Sequence, residues 1–461
     1  MSGSRPLWAL PAHALRAGYA AGDFTPLDAL EACHARTDEV NGRLTALVAE
    51  DRALAAEQAG RATERWAAQA PLSLLDGVPI TIKDNLHAAG LPATWGSRLH
   101  DGHRPQADEP ALARLRERGA VFLGKTNVPE FTLHGYTDNP LFGPSRNPLA
   151  PALTPGGSTG GGAAGCAAGI GAIAIGTDGG GSTRRPAAHC GLWGFKPSVG
   201  LTSRRGGFPQ ILADFEVIGA LARAAADLLP AIDLLSDIGL PRTDRFAQPL
   251  RIGLFTAAGG RPVEPRIAAA VERLAEAFAA AGAEVTPVAA PFEPESMNAA
   301  FGTIAQAGLA WHLDGVDGWE AQVGAPLAEM ARAGAALTGA QVYAAMAACH
   351  AMRWQARAAF EACDLLLCPT TAALAWPATG IYPPIIAGRP ADARGHALFT
   401  TWVNIAGLPA ASVPLGETPD AGGIGAQLIT PPGRDHALLD LMITHPALAA
   451  LAAHDPEKEI P

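Results

Sequence analysis

Charge is scarce in this chain. Of its 461 residues, 17% are Asp, Glu, Lys or Arg, the formal net charge is −10, and no block of five like charges occurs. So thin a spread leaves no electrostatic footprint for nucleic acid or an anionic membrane surface, and neither is expected as a direct partner. Cysteine is scarce too. Six thiols are too few for a disulfide scaffold, and the closest groups, Cys349 beside His350 and Cys363 near Cys368, lack zinc-ligand spacing. Free thiols in a reducing compartment, and no metal site, are the expectation. The opening residues MSGSRPLWALPAH hold no apolar core of signal-peptide length. The uncharged run from Asn147 to Thr177 starts too rich in glycine and proline to cross a bilayer as a helix. A cytoplasmic protein is therefore expected. Proline-rich or charged linkers are missing as well, and no internal repeat is evident. Length alone would favour two or three domains. The missing linkers favour one large α/β domain over 1–461, with a helical layer over 1–70, a core over 70–220 and the remainder over 221–461.

What is present is a 48% hydrophobic composition, enough for a large core, and a glycine- and alanine-rich stretch from Thr154 to Pro186. Two serines there each follow a glycine run: Ser158 after Gly156-Gly157, and Ser182 after Gly179-Gly180-Gly181. Glycine serves where a backbone takes φ > 0 or lies close against something else, so each serine reads as held in a fixed, exposed place. Around this stretch, Thr25-Pro26 signals a helix start. A second helix is predicted from about Thr45 to Trp66, a strand over Val78–Ile82 ending at Lys83, a helix from Pro110 to Arg118 and a strand over Ala120–Leu123. A loop from Lys125 to Pro155 follows. Gly161–Ala168 suits a small-residue helix and Gly169–Ile175 a buried strand. Later helices are expected at 265–282, 296–313 and 339–363, and strands at Leu365–Leu367 and Ala410–Pro414. This alternation predicts an α/β fold with helices covering a sheet.

Three motif matches fail on physical grounds. Gly119-Ala-Val-Phe-Leu-Gly124-Lys125-Thr126 fits the phosphate-loop pattern, but Ala-Val-Phe-Leu is an apolar strand whose N–H groups belong to a sheet, and no long helix follows. Gly160-x-Gly162-x-x-Gly165 fits a dinucleotide fingerprint without the strand that should precede it. Gly156-x-Ser158-x-Gly160 fits a nucleophile elbow, yet proline and threonine stand before it.

A nucleophilic serine needs a proton acceptor and oxyanion donors. Gly179-Gly180-Gly181-Ser182 can supply the donors from unshielded N–H groups, although a tight turn with Ser182 capping the next helix fits the same residues. His189 would lie two turns along that helix, too far back to reach the hydroxyl, and His134 has no evident orienting carboxylate. Lys83 ends an apolar strand, where burial could leave a neutral amine; a buried salt bridge with Asp84 or another carboxylate is the alternative.

Val78-Pro-Ile-Thr-Ile-Lys83-Asp84-Asn85, Gly124-Lys125-Thr126-Asn127, Pro155-Gly156-Gly157-Ser158-Thr159-Gly160-Gly161 and Gly176-Thr177-Asp178-Gly179-Gly180-Gly181-Ser182 resemble the amidase signature family in order and spacing. So do Gly194-Phe195-Lys196-Pro197, Asn404-Ile-Ala-Gly407-Leu-Pro409-Ala410 and Gly425-Ala-Gln427. The dense match covers about residues 70–220, with weaker echoes at 364–430. The resemblance implies a central mixed sheet covered by helices on both faces, and a linear-amide hydrolase with a Ser–Ser–Lys triad and no cofactor. Ser182 would attack, Ser158, after a cis peptide with Gly157, would relay the proton, and Lys83 would be the base. Gly179, Gly180, Gly181 and the Ser182 N–H would form the oxyanion hole, braced by an Asp178–Arg184 ion pair. Thr159, Gly179, Thr183 and Arg185 depart from the family pattern around an intact triad. Substrate contacts are expected from Tyr136, Thr137 and Trp402, with Phe208 and Trp311 as further candidates, and their character suggests a neutral or aromatic amide more than a charged one. Two alternatives stand within the family: the glutamine-hydrolysing component of a tRNA-dependent amidotransferase, and a ureido- or biuret-type hydrolase working with a small partner subunit. The chain could equally form a homodimer. Outside the family stand a catalytically dead scaffold and a phosphate-binding NTPase.

Overall fold

A computed structural model describes residues 5–418, 420–451 and 455–457. Its strands, in chain order, are β1 (Leu47–Ala49), β2 (Pro79–Lys83), β3 (Val121–Thr126), β4 (Ile173–Asp178), β5 (Trp193–Lys196), β6 (Val217–Ala222), β7 (Arg251–Leu254), β8 (Glu284–Pro287), β9 (Leu365–Pro369), β10 (Ile385–Ile386), β11 (Arg389–Pro390), β12 (Ala410–Thr418) and β13 (Gly422–Ile429). Eleven of them form one sheet in the order β1-β3-β2-β4-β6-β5-β12-β13-β9-β7-β8, while β10 and β11 pair separately. The sheet is mixed: β2 runs parallel to β3 and β4, and β7 to β8 and β9, whereas β4–β6, β5–β6, β5–β12, β12–β13 and β9–β13 are antiparallel.

The sequence explains why the middle of the sheet can be covered twice. Every residue of β2, β3, β4, β5, β6, β9 and β13 is buried, and such strands read as continuous apolar runs. Alternate side chains enter two separate cores. Leu365 and Leu367 join Ile80, Leu228, Val271 and Leu438 on one face. Leu366 and Cys368 join Phe301, Leu309, Leu327 and Trp402 on the other. All six cysteines are buried and none is in a disulfide. No helix among the described residues is long and apolar enough to cross a membrane.

Several expected boundaries move, each for a local reason. The Thr25 capping box with Asp28 opens helix Pro26–Leu44 as the sequence suggests. The helix expected from Thr45 to Trp66 is instead β1 followed by helix Arg52–Ala67. Thr45 ends the earlier helix in a left-handed conformation (φ 49°), and the Asn41 side chain holds the next residues extended by accepting from the Ala46 and Leu47 N–H groups. Asp51 then caps the new helix at Leu54 N–H. The strand expected to start at Gly169 starts at Ile173, because Gly169 (φ 89°) caps helix Gly160–Ala168 and Gly171 (φ 78°) turns the chain again. β3 runs on through Lys125 and Thr126, helix Gly339–Ala358 stops short of 363, and helix Ala325–Ala335 was not anticipated.

Trp402 is fully buried, its ring stacked on Phe292 at 5.3 Å between centroids. Trp311, on helix Pro294–Leu313, is 62% exposed. Trp402→Ala is expected to cost about 3–5 kcal/mol by emptying a core site, and Trp311→Ala no more than about 0.5 kcal/mol. Thermal unfolding midpoints of the two variants, measured side by side, check this difference.

Candidate active site

Parallel pairing of β2 with β4 (Ile82 opposite Ile175) brings the carboxyl ends of both strands to one place, where α/β sheets usually keep their ligand sites. Lys83 ends β2, and Asp178 ends β4 just ahead of the turn that carries Ser182. Lys83 is wholly buried. Its Nζ lies 2.8 Å from Ser158 Oγ, 2.9 Å from Thr177 Oγ1 and 3.0 Å from the Thr177 carbonyl oxygen. Burial pushes this amine down to about 7, against the opposing pull of Glu216 and Asp178. An ammonium can donate to all three oxygens; a neutral amine can donate to two and accept the Ser158 hydroxyl proton.

The salt bridge of Lys83 with Asp84 does not form. Asp84 Oδ2 accepts instead from Thr94 Oγ1 (2.7 Å) and the N–H groups of Thr94 and Gly96. Lys125 and Lys196 are buried too, and burial pushes them down to about 8 and about 7. Their amines donate to backbone carbonyls, of Asp84 and Leu86 and of Pro197. Geometry, not basicity, sets Lys83 apart: it alone of the three meets a serine hydroxyl.

Ser158 follows a cis peptide with Gly157 and precedes helix Gly160–Ala168. Gly157 is needed for space, since a Cβ there would lie 2.2 Å from the Tyr136 carbonyl oxygen. Thr137, expected at the substrate, is buried beneath this turn and donates from Oγ1 to the Gly156 carbonyl at 2.8 Å. It holds the turn and is not on the cavity wall.

Ser182 sits in the turn between β4 and the short helix Arg184–His189. The Asp178 carboxylate organises that turn, accepting from Gly181 N–H (2.7 Å), Thr183 N–H and Oγ1 (3.1 and 2.8 Å), Arg184 Nε and Nη2 (3.0 and 2.9 Å) and Asn404 Nδ2 (2.9 Å). Burial alone would raise its pKa, but Arg184 and these donors outweigh it and hold the carboxyl well below the usual range. Arg184 also donates to Gln427 Oε1 and Asn404 Oδ1, which ties the turn to β13 and to helix Thr401–Ala406. One expectation is corrected here. The Gly181 N–H is taken by Asp178 and is not free for an oxyanion, while Gly179, Gly180 and Ser182 line the cavity.

That cavity has a volume of about 290 Å³ and holds Ser158, Ser182 and Tyr136, with Phe301, Tyr382, Arg185, Arg394, His396 and Glu216 on its walls. Tyr136 reaches it as expected, its ring stacked on His134. Trp402 and Phe208 do not. Trp402 lies in the apolar core, and Phe208 stacks on Trp95 at 4.7 Å. Trp311 is exposed and off the cavity wall. Sequence reasoning missed Arg394, His396 and Tyr382, which lie in the irregular 377–400 segment with no motif; Arg185 carried a signal as a departure beside Arg184. No group of three or more His, Cys, Asp or Glu among the described residues is placed to hold a metal. His189, the histidine nearest Ser182 in sequence, is buried edge-on to Trp376 with no partner for either ring nitrogen.

Removing one member of a fully buried ion pair strands the other. Asp178→Ala, which leaves Arg184 uncompensated, is expected to lose about 3–5 kcal/mol of stability, read as a lowered unfolding midpoint in urea. Asp178→Asn should lose less, because the amide still accepts a hydrogen bond.

Comparison with known proteins identifies the family. The family model described as Amidase matches residues 28–439. The A chain of the glutamyl-tRNA(Gln) amidotransferase of Thermus thermophilus is 33% identical, over 93% of this chain and 95% of its own length. The acylamidase of Rhodococcus erythropolis is 32% identical, over 93% of both chains. Among solved structures, a bacterial aryl acylamidase of the amidase signature family superposes with a TM-score of 0.86 at 26% identity, covering 96% of each chain. With residues 28–439 matched by the family model and relatives aligned over more than nine-tenths of its length, the chain belongs to the amidase signature family.

Proposed function

We propose that the chain cleaves a linear carboxylic amide through an acyl-enzyme on Ser182, releasing a carboxylate and ammonia or an amine. The observation that carries this reading is the 2.8 Å contact of Lys83 Nζ with Ser158 Oγ inside the cavity that also holds Ser182. As Ser182 Oγ bonds to the amide carbonyl carbon, its proton passes to Ser158, and the Ser158 proton passes to neutral Lys83. The oxyanion is met by N–H groups of the Gly179–Ser182 turn other than that of Gly181. The Lys83 ammonium then returns a proton through Ser158 to the leaving nitrogen, and the C–N bond breaks. Water entering the emptied leaving-group site gives up a proton by the same relay and hydrolyses the ester. Thr177, donating nothing to the reacting atoms, keeps Nζ aimed at Ser158. The reading treats the chain as one unit, since eleven strands, β1 and β13 among them, enter a single sheet.

The similarity to a glutamyl-tRNA(Gln) amidotransferase component supports a second reading, in which glutamine is the amide and ammonia is passed to a partner. Glutamine therefore belongs in the substrate panel beside aliphatic, aromatic and ureido amides.

A fluorophosphonate is expected to label wild-type protein at Ser182 and to leave Ser182→Ala unlabelled, with ATP giving no shift in melting temperature. Amide hydrolysis should fall by at least about 10³-fold in Ser182→Ala and by about 10²–10⁴-fold in Lys83→Ala. Retention of amidase activity by Ser182→Ala would refute the scheme. Because the base must be unprotonated, kcat/KM should climb about tenfold per pH unit below pH 7 and level off above it, following the Lys83 value of about 7. A rate already flat from pH 5 upwards would exclude Lys83 as the base.

A further inference from the structure

Two arginines on the cavity wall have no part in the hydrolysis described above, and neither has a counterion. Arg185 is 5% exposed. It donates to the Gly180 carbonyl (3.1 Å) and the Gly157 carbonyl (3.2 Å), bridging the two serine turns, and its buried Nε has no partner. Arg394 donates to Thr401 Oγ1 (2.7 Å) and Asn298 Oδ1 (3.3 Å) and lies 4.3 Å from the Phe301 ring centroid. Neither guanidinium forms an ion pair among the described residues. The carboxylates that could serve are engaged elsewhere. Asp392 pairs with Arg261 and meets only the backbone N–H of Arg394. Glu216, the one acid lining the cavity among the described residues, pairs with Arg204 at 2.7 Å.

The two cations face the same space. Burial, and then the charge of Arg394, push Arg185 down to about 9; burial pushes Arg394 down to about 10 against the opposing pull of Asp392. His396 stands with them on the wall, and neither of its ring nitrogens has a partner. A Cβ on Gly135 would lie 2.0 Å from His396 Nε2, so the loop leaves just enough room for the imidazole. Burying a guanidinium without a counterion is costly, and a planar guanidinium with free N–H groups is matched by a carboxylate.

We propose that the amide substrate carries a carboxylate, which Arg185 and Arg394 bind within the cavity while Ser182 attacks the amide a few bonds away. This rests on the amidase reading above and narrows it. Arg185 is three residues from Ser182 and holds the carbonyls of both serine turns, and the cavity is about 290 Å³. The spacer between carboxylate and amide is therefore short. This departs from the neutral or aromatic amide suggested by Tyr136, Thr137, Trp402, Phe208 and Trp311, of which only Tyr136 lines the cavity among the described residues.

The test has two arms. In the first, wild-type turnover of succinamate and glutaramate is compared with that of the uncharged isosteres 4-methylpentanamide and 5-methylhexanamide. The acids should be preferred by about a hundredfold or more in kcat/KM. Arg185→Gln and Arg394→Gln should each lose about ten- to a hundredfold of that preference, mostly through KM, as expected for a charge-assisted hydrogen bond. Arg185→Lys, which keeps the charge, covers the case in which Arg185→Gln fails to fold. In the second arm, glutarate, which has no amide, should slow fluorophosphonate labelling of Ser182. The ratio of protected to unprotected rate, taken within each variant, should approach one in Arg185→Gln and Arg394→Gln. Equal or better turnover of the uncharged isosteres, or no protection by glutarate, overturns the carboxylate site and leaves the amidase reading standing. A Ser182 that the fluorophosphonate does not label overturns the amidase reading itself.

Discussion

A lysine amine buried where no carboxylate can reach it is the constraint on which the rest of this site depends. Desolvation disfavours the ammonium, and a single close carboxylate would restore it. Glu216 and Asp178 pull on it and Asp84 is its chain neighbour, and each is held by something else. Asp84 is bound by Thr94 and the Gly96 N–H. Asp178 is bound by Arg184, and Glu216 by Arg204, which also pairs with Glu109. The amine is left with hydroxyl and carbonyl oxygens only, of Ser158 and Thr177. The two buried arginine pairs thus do more than brace turns: they keep both carboxylates out of contact with Lys83, whose amine feels their pull only at a distance. Because a buried ion pair contributes little net stability against a well-packed apolar substitute, a role in fixing the charge state of the site accounts for them better than stability does.

The same network explains how residues hundreds of positions apart make one site. Asn404 donates to the Asp178 carboxylate and to the carbonyls of Asp178 and Phe215. Gln427 accepts from Arg184 and donates to the Phe399 carbonyl. Thr400 closes the nucleophile turn by donating to the Gly180 carbonyl, and its side chain fills the space where a Cβ on Gly181 would sit, 2.3 Å from Oγ1. Gly181 is thus fixed twice, by a φ of 113° and by contact.

The short motifs and their order were legible in the sequence because local chemistry writes them: glycines where a carbonyl presses close, a lysine ending an apolar strand, a capping threonine before a proline. The pairing of Lys83 with Ser158 was not legible from spacing alone, since 75 residues separate them and Ser158 stands in the turn ahead of helix Gly160–Ala168, not on a strand beside β2. Nor could composition tell a wall aromatic from a core one. Trp402 and Tyr136 look alike as candidates, yet one faces the second core and the other the cavity. The boundary error at Thr45 has a similar cause: alanine-rich sequence favours helix everywhere, and one Asn41 side chain bonded to the following backbone overrides it.

Arg185 connects base strength with substrate choice. Its charge, with that of Arg204, pushes the Lys83 amine downward, the direction the base requires. Burial is the main cause of that shift, and the guanidinium that would meet a substrate carboxylate adds to it in the free enzyme. Once that carboxylate binds, the field on Lys83 becomes less positive, and the ammonium formed as Ser182 attacks is less disfavoured than in the empty site. An uncharged amide would leave the two cations unanswered and the ammonium opposed. The arginines then discriminate between substrates at the proton-transfer step as well as at binding, which gives the site reason to carry two positive charges with no ion-pair partner among the described residues.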